Sequence, residues 1–426
     1  MIFLGFSAGL PYLLVFSTLS AWLADEKISR SMIGLFSWIG ITYSIKFFWA
    51  PVVDRARLPI LTRLFGQRRS WMILAQLGIA IGLLGMSFAN PATDLVFIAW
   101  FALLVAFSSA TQDITIDAYR IEAIDTRKQA AMAATYILGY RIALLVAGAG
   151  AFYLAEYLSW SMAYMVMAAL MGVGLLTALI IKEPTHETSQ ADIMLEQRVL
   201  DFMANSHHWP QRTRNAMAWF IGAVVCPFVD FFKRNGTLAL VILLFVGVFR
   251  LSDITMGVMA NPFYLDMGFS KPEIANIAKI FGFFMTIGGA ALGGLLVVRY
   301  GIFRPLLLGA VMVALTNLLF AYMATGGPDI TLLALVISAD NLSGGLSNAV
   351  FIAYLSSLTN KHYTATQYAL FSSLMTLPGK FIGGFSGVVV DSFGYVDFFI
   401  YAAVMGVPAI VLALYLMKQS PLTQKQ

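Results

Sequence analysis

The sequence is short of charge. Asp, Glu, Lys and Arg make up 12% of its 426 residues, against 59% for hydrophobic types, and a soluble domain carries roughly twice that charged share. Cysteine is almost absent: the single Cys226 excludes an internal disulfide framework and a thiolate metal cluster. Histidine is scarce too. Of four, three (His186, His207 and His208) fall in one polar stretch without metal-ligand spacing, so neither a metal nor another cofactor is expected. The apolar stretches hold no nucleophile matched to a base, which argues against an enzyme. Their glycines are not followed by the Lys and hydroxyl residue of a phosphate loop.

What the sequence has in abundance is long apolar runs. They fall at about 1–24, 31–53, 71–89, 95–117, 131–153, 160–181, 237–261, 274–297, 305–324, 331–358, 365–388 and 395–417. Most approach the roughly 20 residues that cross a bilayer as a helix. Lipid offers no partner to an exposed backbone group, so only helices or closed barrels can span it. Barrel strands would alternate apolar and polar residues over about ten positions, and these runs do not alternate. The first run is too long for the core of a cleavable leader. The fold class is therefore an all-α membrane protein of about twelve transmembrane helices.

The net charge of +5 marks topology, not nucleic acid, because the basic residues crowd alternate loops. One side holds Arg55, Arg57, Arg63, Arg68, Arg69, Arg120, Arg127, Lys128, Lys182, Arg198, Arg212, Arg214, Lys233, Arg234, Arg299, Arg304 and Lys361; the other holds Lys27, Arg30 and Lys271. The cytoplasmic side carries the excess, so both termini are expected in the cytoplasm. Six runs, a polar gap and six more runs divide the chain into an N-terminal bundle (1–181), a linker (182–236), a C-terminal bundle (237–418) and a cytoplasmic tail (419–426). Within the linker, Ala216 to Phe232 is apolar but short and interrupted by Pro227 and Asp230. It reads as an amphipathic helix at the membrane interface, with a re-entrant or spanning segment as the alternative. The halves echo each other: TRKQAAMAATYILGYRIALLVAGAG carries Gln129 and Arg141, and TATQYALFSSLMTLPGKFIGGFSG carries Gln367 and Lys380, each on the fifth helix of its half. Paired six-helix repeats of this kind are the organisation of major facilitator transporters, which bind substrate between the halves near the bilayer midplane.

A charge at mid-membrane costs at least a few kcal/mol, so each one points to function. Asp113 and Asp117 lie four apart on one helical face, with Arg120 beside them. Two neighbouring carboxylates raise the proton affinity of one of them, which makes this pair the first candidate for proton coupling. The bland reading is a loop pinned through Arg120 or Arg127. Asp340 is the second proton candidate, and Asn341 beside it offers a neutral hydrogen-bonding group. Lys46, Arg141 and Lys380 have no acid nearby in sequence and are candidates for an anionic substrate group. Gln112 adds neutral hydrogen bonding, and Tyr43 and Tyr140 could offer aromatic platforms. Arg250 and Asp253 lie three apart and could simply neutralise each other. Lys279, nearer a helix end, is expected to snorkel to the interface.

Several segments carry a resemblance: LGFSAGLPYLL (4–14), IGLFSWIGITYSIKFFWAPVVDR (33–55), GQRRSWM (66–72), SSATQDITIDAYR (108–120) and LGYRIALLVAG (138–148). Together they resemble the AmpG muropeptide permease family of the major facilitator superfamily, closely over the first half and by pattern over the second. The resemblance implies two pseudo-symmetric six-helix bundles in the inner membrane of a Gram-negative bacterium. It implies proton-driven import of N-acetylglucosaminyl-anhydro-muropeptides from periplasm to cytoplasm for peptidoglycan recycling, an import that also feeds β-lactamase induction. Asp113 and Asp117 would be the coupling acids, with Ala110 and Gln112 close to the transport path. The partners implied are the substrate, protons and lipid, with no nucleic acid, and a monomer is expected. Two other readings stay open: a carrier for another sugar, peptide or acyl-CoA anion, and a sensor that binds muropeptide without moving it.

Overall fold

The computed structural model describes residues 1–123, 129–184, 197–206, 209–358 and 364–419. Among these residues the chain is helical, with no strand. Ten helices are long and apolar enough to cross a membrane. They include α1 (Ile2–Asp25), α3 (Gln67–Ser87), α4 (Leu95–Glu122), α5 (129–157) and α6 (Trp160–Ile180) in the first half. In the second half they include α9 (Leu238–Asp266), α10 (Lys271–Tyr300), α11 (Phe303–Met323) and α12 (Ile330–Leu358). The tenth, Ser386–Gln419, is broken at Gly394, whose φ of +82° an L side chain rarely adopts. That break ends a segment running from 364 to 393, α13, and begins α14 (395–419).

The remaining expected crossing, α2 (30–55), is not one continuous helix. Its helix Arg30–Phe36 passes into a 3-10 turn at Ser37–Gly40, a short helix Ile41–Ser44, a second 3-10 turn at Lys46–Phe48 and a last helix Ala50–Arg55. The polar groups exposed by such breaks are tolerated at membrane depth only against protein or a cavity. With α2 and the division at Gly394 included, the twelve segments read from hydropathy are all present. The polar gap holds two further helices, α7 (Gln197–Asn205) and α8 (211–235). The three clustered histidines and the 419–426 tail beyond its first residue lie outside the described residues.

Two interruptions decide where the backbone opens. In α1, Pro11 removes the N–H that would bond the carbonyl of Ser7, and the helix turns at Val15–Phe16 before resuming at Ser17. In α9 the helix Leu238–Val248 yields to a turn at Phe249–Arg250 and resumes at Leu251. Elsewhere close packing needs small residues. A Cβ on Gly139 would run into the carbonyl of Ile2, so α5 packs on α1 backbone to backbone. A Cβ on Gly387 would strike the carbonyl of Arg30, where α13 meets α2.

The halves touch along α1–α9, α2–α13 and α5–α10. The cores show how they are joined. One cluster of buried apolar side chains runs through both halves, from Leu10, Trp22, Ile98 and Tyr164 to Met259, Phe320, Val336 and Phe399. At the opposite end each half has its own core. Leu4, Met72, Ile116 and Ala178 pack in the first half, and Phe245, Leu306, Phe351 and Ala413 in the second. The two bundles are thus fused near the Asp25, Tyr157 and Asp266 helix ends and separate toward the other.

Candidate functional site

Polar links between the halves follow the same division. At the fused end Arg30 forks onto Asp266, and its Nε also donates to the hydroxyl of Tyr395 at 3.2 Å. The Tyr395 hydroxyl donates to Asp266 at 2.6 Å. Lys271 of α10 pairs with Asp25 at 2.9 Å and lies 3.8 Å from Glu156, while the Trp160 indole donates to Asp25 at 2.8 Å. The backbone N–H and hydroxyl of Ser31 both reach Asp391. Deeper in, Trp38 donates to the carbonyl of Phe381, and the Ser44 and Thr376 hydroxyls lie 2.8 Å apart. At that depth Lys380 of α13 also donates to the Gly40 carbonyl and to Ser44 Oγ of α2.

Where the links stop, a cavity of about 310 Å³ lies between the bundles. Its wall comes from α1 (Tyr12, Phe16), α2 (Ser37), α9 (Arg250, Asp253) and α13 (Thr376, Lys380). The turns in α1 and α9 both fall here, so the interrupted backbone faces a cavity instead of lipid. Tyr12, Phe16 and Tyr43 form an aromatic cluster with centroid separations of 4.9, 5.7 and 5.9 Å. The Lys380 ammonium sits 5.7 Å over the Tyr43 ring and donates to the carbonyl of Gly40 and to Ser44 Oγ, at 2.9 and 3.1 Å. Among the described residues it has no acid within ion-pair range.

Lys46 and Asp113 are not among the residues that line the cavity; their charged atoms lie 3.9 Å apart across α2 and α4, and Lys46 is within electrostatic range of Lys380. The Trp49 indole donates to Thr111 Oγ1 at 3.1 Å and holds the two helices in register. Asp113 Oδ1 is buried and has no hydrogen-bond donor among the described residues. Asp117, one turn on, is more exposed (49% against 21% for the side chains) and pairs with Arg120 at 3.3 Å. Arg120 in turn lies over the Tyr136 ring. The two acids therefore stand in different settings, one against a lysine of another helix and one tied to its own helix end. Tyr140 lies within electrostatic range of Asp113, Tyr12 and Tyr43. Arg141 is half-buried on α5 and makes no hydrogen bond or ion pair among the described residues.

Two of the neutral candidates are placed in helix packing. Gln112 is fully buried. Its Nε2 donates to the Ser7 carbonyl at 3.0 Å, the acceptor that Pro11 leaves free, and its Oε1 accepts from Ser7 Oγ at 2.8 Å. Asn341 is held between α12 and α10 by Thr286 Oγ1 at 2.9 Å and by its own bond to the Ile337 carbonyl. Asp340 accepts from Thr316 Oγ1 at 3.3 Å and lies within electrostatic range of Asp253.

Three features were missed or misplaced by sequence reasoning. Tyr12 and Phe16 line the cavity, but on the helical pattern of 1–24 they read as ordinary apolar positions. Arg250 and Asp253 do pair, at 2.5 Å, yet they do so facing the cavity. Lys279 is not turned to the interface. It donates to Asn261 Oδ1 at 2.8 Å and lies over the Phe152 ring, between α9, α10 and α5. In the polar gap, α8 is not among the helices long and apolar enough to span. Its Asp230 and Arg234 pair at 2.9 Å, and both bond Gln367 of α13. Gln367, noticed as part of the repeat, thus holds the linker helix.

The chain matches the family model described as Major Facilitator Superfamily over residues 1–384. It is 34% identical to "Putative transporter AmpG 4" of Rickettsia felis over 98% of this chain and 95% of that one. It is 33% identical to the anhydromuropeptide permease of Escherichia coli K12, over 97% of this chain and 78% of that one. A crystal structure of a D-xylose–proton symporter superposes with a TM-score of 0.67 at 14% identity, covering 100% of this chain and 96% of that one. The twelve crossings, the two bundles and these likenesses agree: the chain is a multi-pass inner-membrane transporter and belongs to the AmpG permease family of the major facilitator superfamily.

Proposed function

We propose that this chain imports N-acetylglucosaminyl-anhydro-muropeptides from periplasm to cytoplasm by alternating access, with protons as the driving ion. The fused end, carrying Lys27, Arg30 and Lys271, is the periplasmic end by its poverty in basic residues, and both termini are cytoplasmic. The cleft then opens to the cytoplasm. The observation that carries the reading is the Lys46–Asp113 pair, which joins α2 to α4 and whose lysine lies within electrostatic range of Lys380 on the wall of the cavity between the bundles. An acid that faces a cation of another helix can lose or gain a proton as that cation moves, which ties proton transfer to the rocking of helices. The aromatic cluster of Tyr12, Phe16 and Tyr43 suits sugar rings, and Lys380 suits an anionic group. Tyr140, within electrostatic range of Tyr12 and Tyr43, and Arg141 beside it are further candidates for substrate contact. Asp117 with Arg120 guards its cytoplasmic mouth, and Asp340 is a second proton site behind Asp253. The helix α8 lies at the cytoplasmic interface, joining bundles at 1–181 and 237–418.

The test is accumulation of labelled anhydro-muropeptide in energised vesicles, with and without a protonophore. Uptake that stops when the gradient collapses is the expected result; uptake indifferent to the protonophore refutes the coupling. Acyl-CoA esters and simple sugars serve as competitors, and preferential uptake of either would replace the substrate. Tight binding without accumulation would make the protein a sensor.

A further inference from the structure

Arg250 and Asp253 have no part in the proton path proposed above, yet the fold spends a helix break on them. The turn at Phe249–Arg250 stops α9 within the membrane, and Asp253 falls in the first turn of the helix Leu251–Asp266 that follows. A carboxylate in that place bonds the cation beside it and is favoured by the helix dipole. The pair is not sealed in packing: its side chains keep 29% and 31% of their surface, and both line the cavity. Across the cavity stands Lys380, whose polar contacts among the described residues are the Gly40 carbonyl and Ser44 Oγ. Lys46 and Arg250 both act on it electrostatically. Arg250 and Lys380 thus face one space with Lys46 in electrostatic range, and among the described residues only Asp113 and Asp253 pair with any of the three.

We infer that Arg250 and Lys380 together form the receptor for a carboxylate of the substrate, and that Asp253 is its built-in competitor. The inference rests on the muropeptide reading, in which the ligand brings the carboxylates of a short peptide. When the cavity is empty, Asp253 neutralises Arg250. When the peptide carboxylate enters, it takes the guanidinium fork from Asp253 and meets the Lys380 ammonium from the other half. One anion then touches α9 and α13 at once, close to where α2 meets α13. A guanidinium suits this exchange because its planar fork accepts one carboxylate as readily as another. The sugar rings would lie toward Tyr12 and Phe16.

The experiment compares two probes on the full chain in vesicles: the anhydro-muropeptide with free carboxylates and the same molecule with its carboxylates converted to amides. The wild-type chain should prefer the free acid by about tenfold or more in half-saturating concentration. Arg250→Gln and Lys380→Gln should each lose most of that preference, the acid weakening severalfold more than the amide probe. Asp253→Asn should bind the acid severalfold more tightly, because its competitor is gone; a merely structural pair predicts the opposite. Lys380→Gln stands on a different helix, and the amount and monodispersity of each variant after detergent extraction separate misfolding from lost recognition. Equal affinity of wild type for both probes, or an equal loss of both in the variants, overturns the carboxylate receptor and leaves muropeptide import standing. Uptake of neither probe overturns both.

Discussion

Neutralising Asp113 should uncouple this transporter without disabling it. With 3.9 Å between Lys46 Nζ and Asp113 Oδ2, the Coulomb attraction is about 4 kcal/mol at an effective dielectric of 20 and about 1 kcal/mol in water. Both side chains are partly exposed, 35% and 21%, so the lower end applies, and Asp113→Asn should fold and reach the membrane. The effect on function is far larger. Each proton that moves with substrate brings about 2.3 kcal/mol per 100 mV of membrane potential, which is roughly 50-fold accumulation at 1.4 kcal/mol per tenfold. The substituted chain should let substrate equilibrate to a ratio near one, while exchange of labelled for unlabelled substrate across unenergised vesicles continues. The same measurements on Lys46→Met with Asp113→Asn separate a proton site from a salt bridge. If the pair only holds α2 against α4, removing both charges restores accumulation; if Asp113 carries the proton, accumulation stays lost. A single Asp113→Asn chain that still concentrates its substrate refutes the reasoning.

The fused end supplies a second expectation. Arg30→Ala combined with Lys271→Ala removes the ionic links to Asp266, Asp25 and Glu156. Partly exposed pairs give about 0.2–1 kcal/mol each, so thiol labelling of Ser20→Cys from the periplasmic side, in a chain lacking Cys226, should rise severalfold; unchanged labelling would remove the latch from the account. Gln112→Ala should lower thermal stability by about 1–3 kcal/mol, the cost of stranding Ser7 and its carbonyl, and leave the half-saturating substrate concentration alone; a specific loss of affinity would return Gln112 to the transport path. Gly387→Val should abolish uptake through the clash with the Arg30 carbonyl, whereas Gly344→Ala, which meets nothing within 4 Å, should behave as wild type.

Hydropathy carried most of the fold. Twelve apolar runs became twelve crossings, because lipid leaves a buried backbone no other choice than a helix. It failed where a crossing is not a single helix. Residues 31–53 read as one run, but Gly40, Lys46 and Pro51 stand among residues that the structure divides into five pieces over 30–55. Those pieces persist because α13 answers them with Phe381, Thr376 and Lys380, contacts more than 300 residues away in sequence that no local pattern can announce. The Gly394 break, by contrast, falls in the gap between the runs 365–388 and 395–417, where hydropathy already divides the two crossings.

The site was legible by charge and illegible by direction. A lysine or aspartate in an apolar run declares itself through its cost, so Lys46, Asp113, Lys380 and Asp340 could be named without a structure. Gln112 and Asn341 could not be sorted in the same way. A neutral amide is equally at home in a cavity or in a helix contact, and the choice depends on which partner carbonyl is left open. For Gln112 a signal did exist: Pro11 frees the carbonyl of Ser7, and a buried donor had to be found for it. Arg250 and Asp253 show the converse. Their spacing correctly gave an ion pair, and that seemed to dispose of both charges. Yet a pair formed at a helix break on a cavity wall is an exchangeable one, since what neutralises Arg250 from within the chain can be replaced by an anion of the same shape from without. Neutralisation along the sequence and function across the cavity are therefore not alternatives, and the position of the break in α9 decides that the pair can serve both.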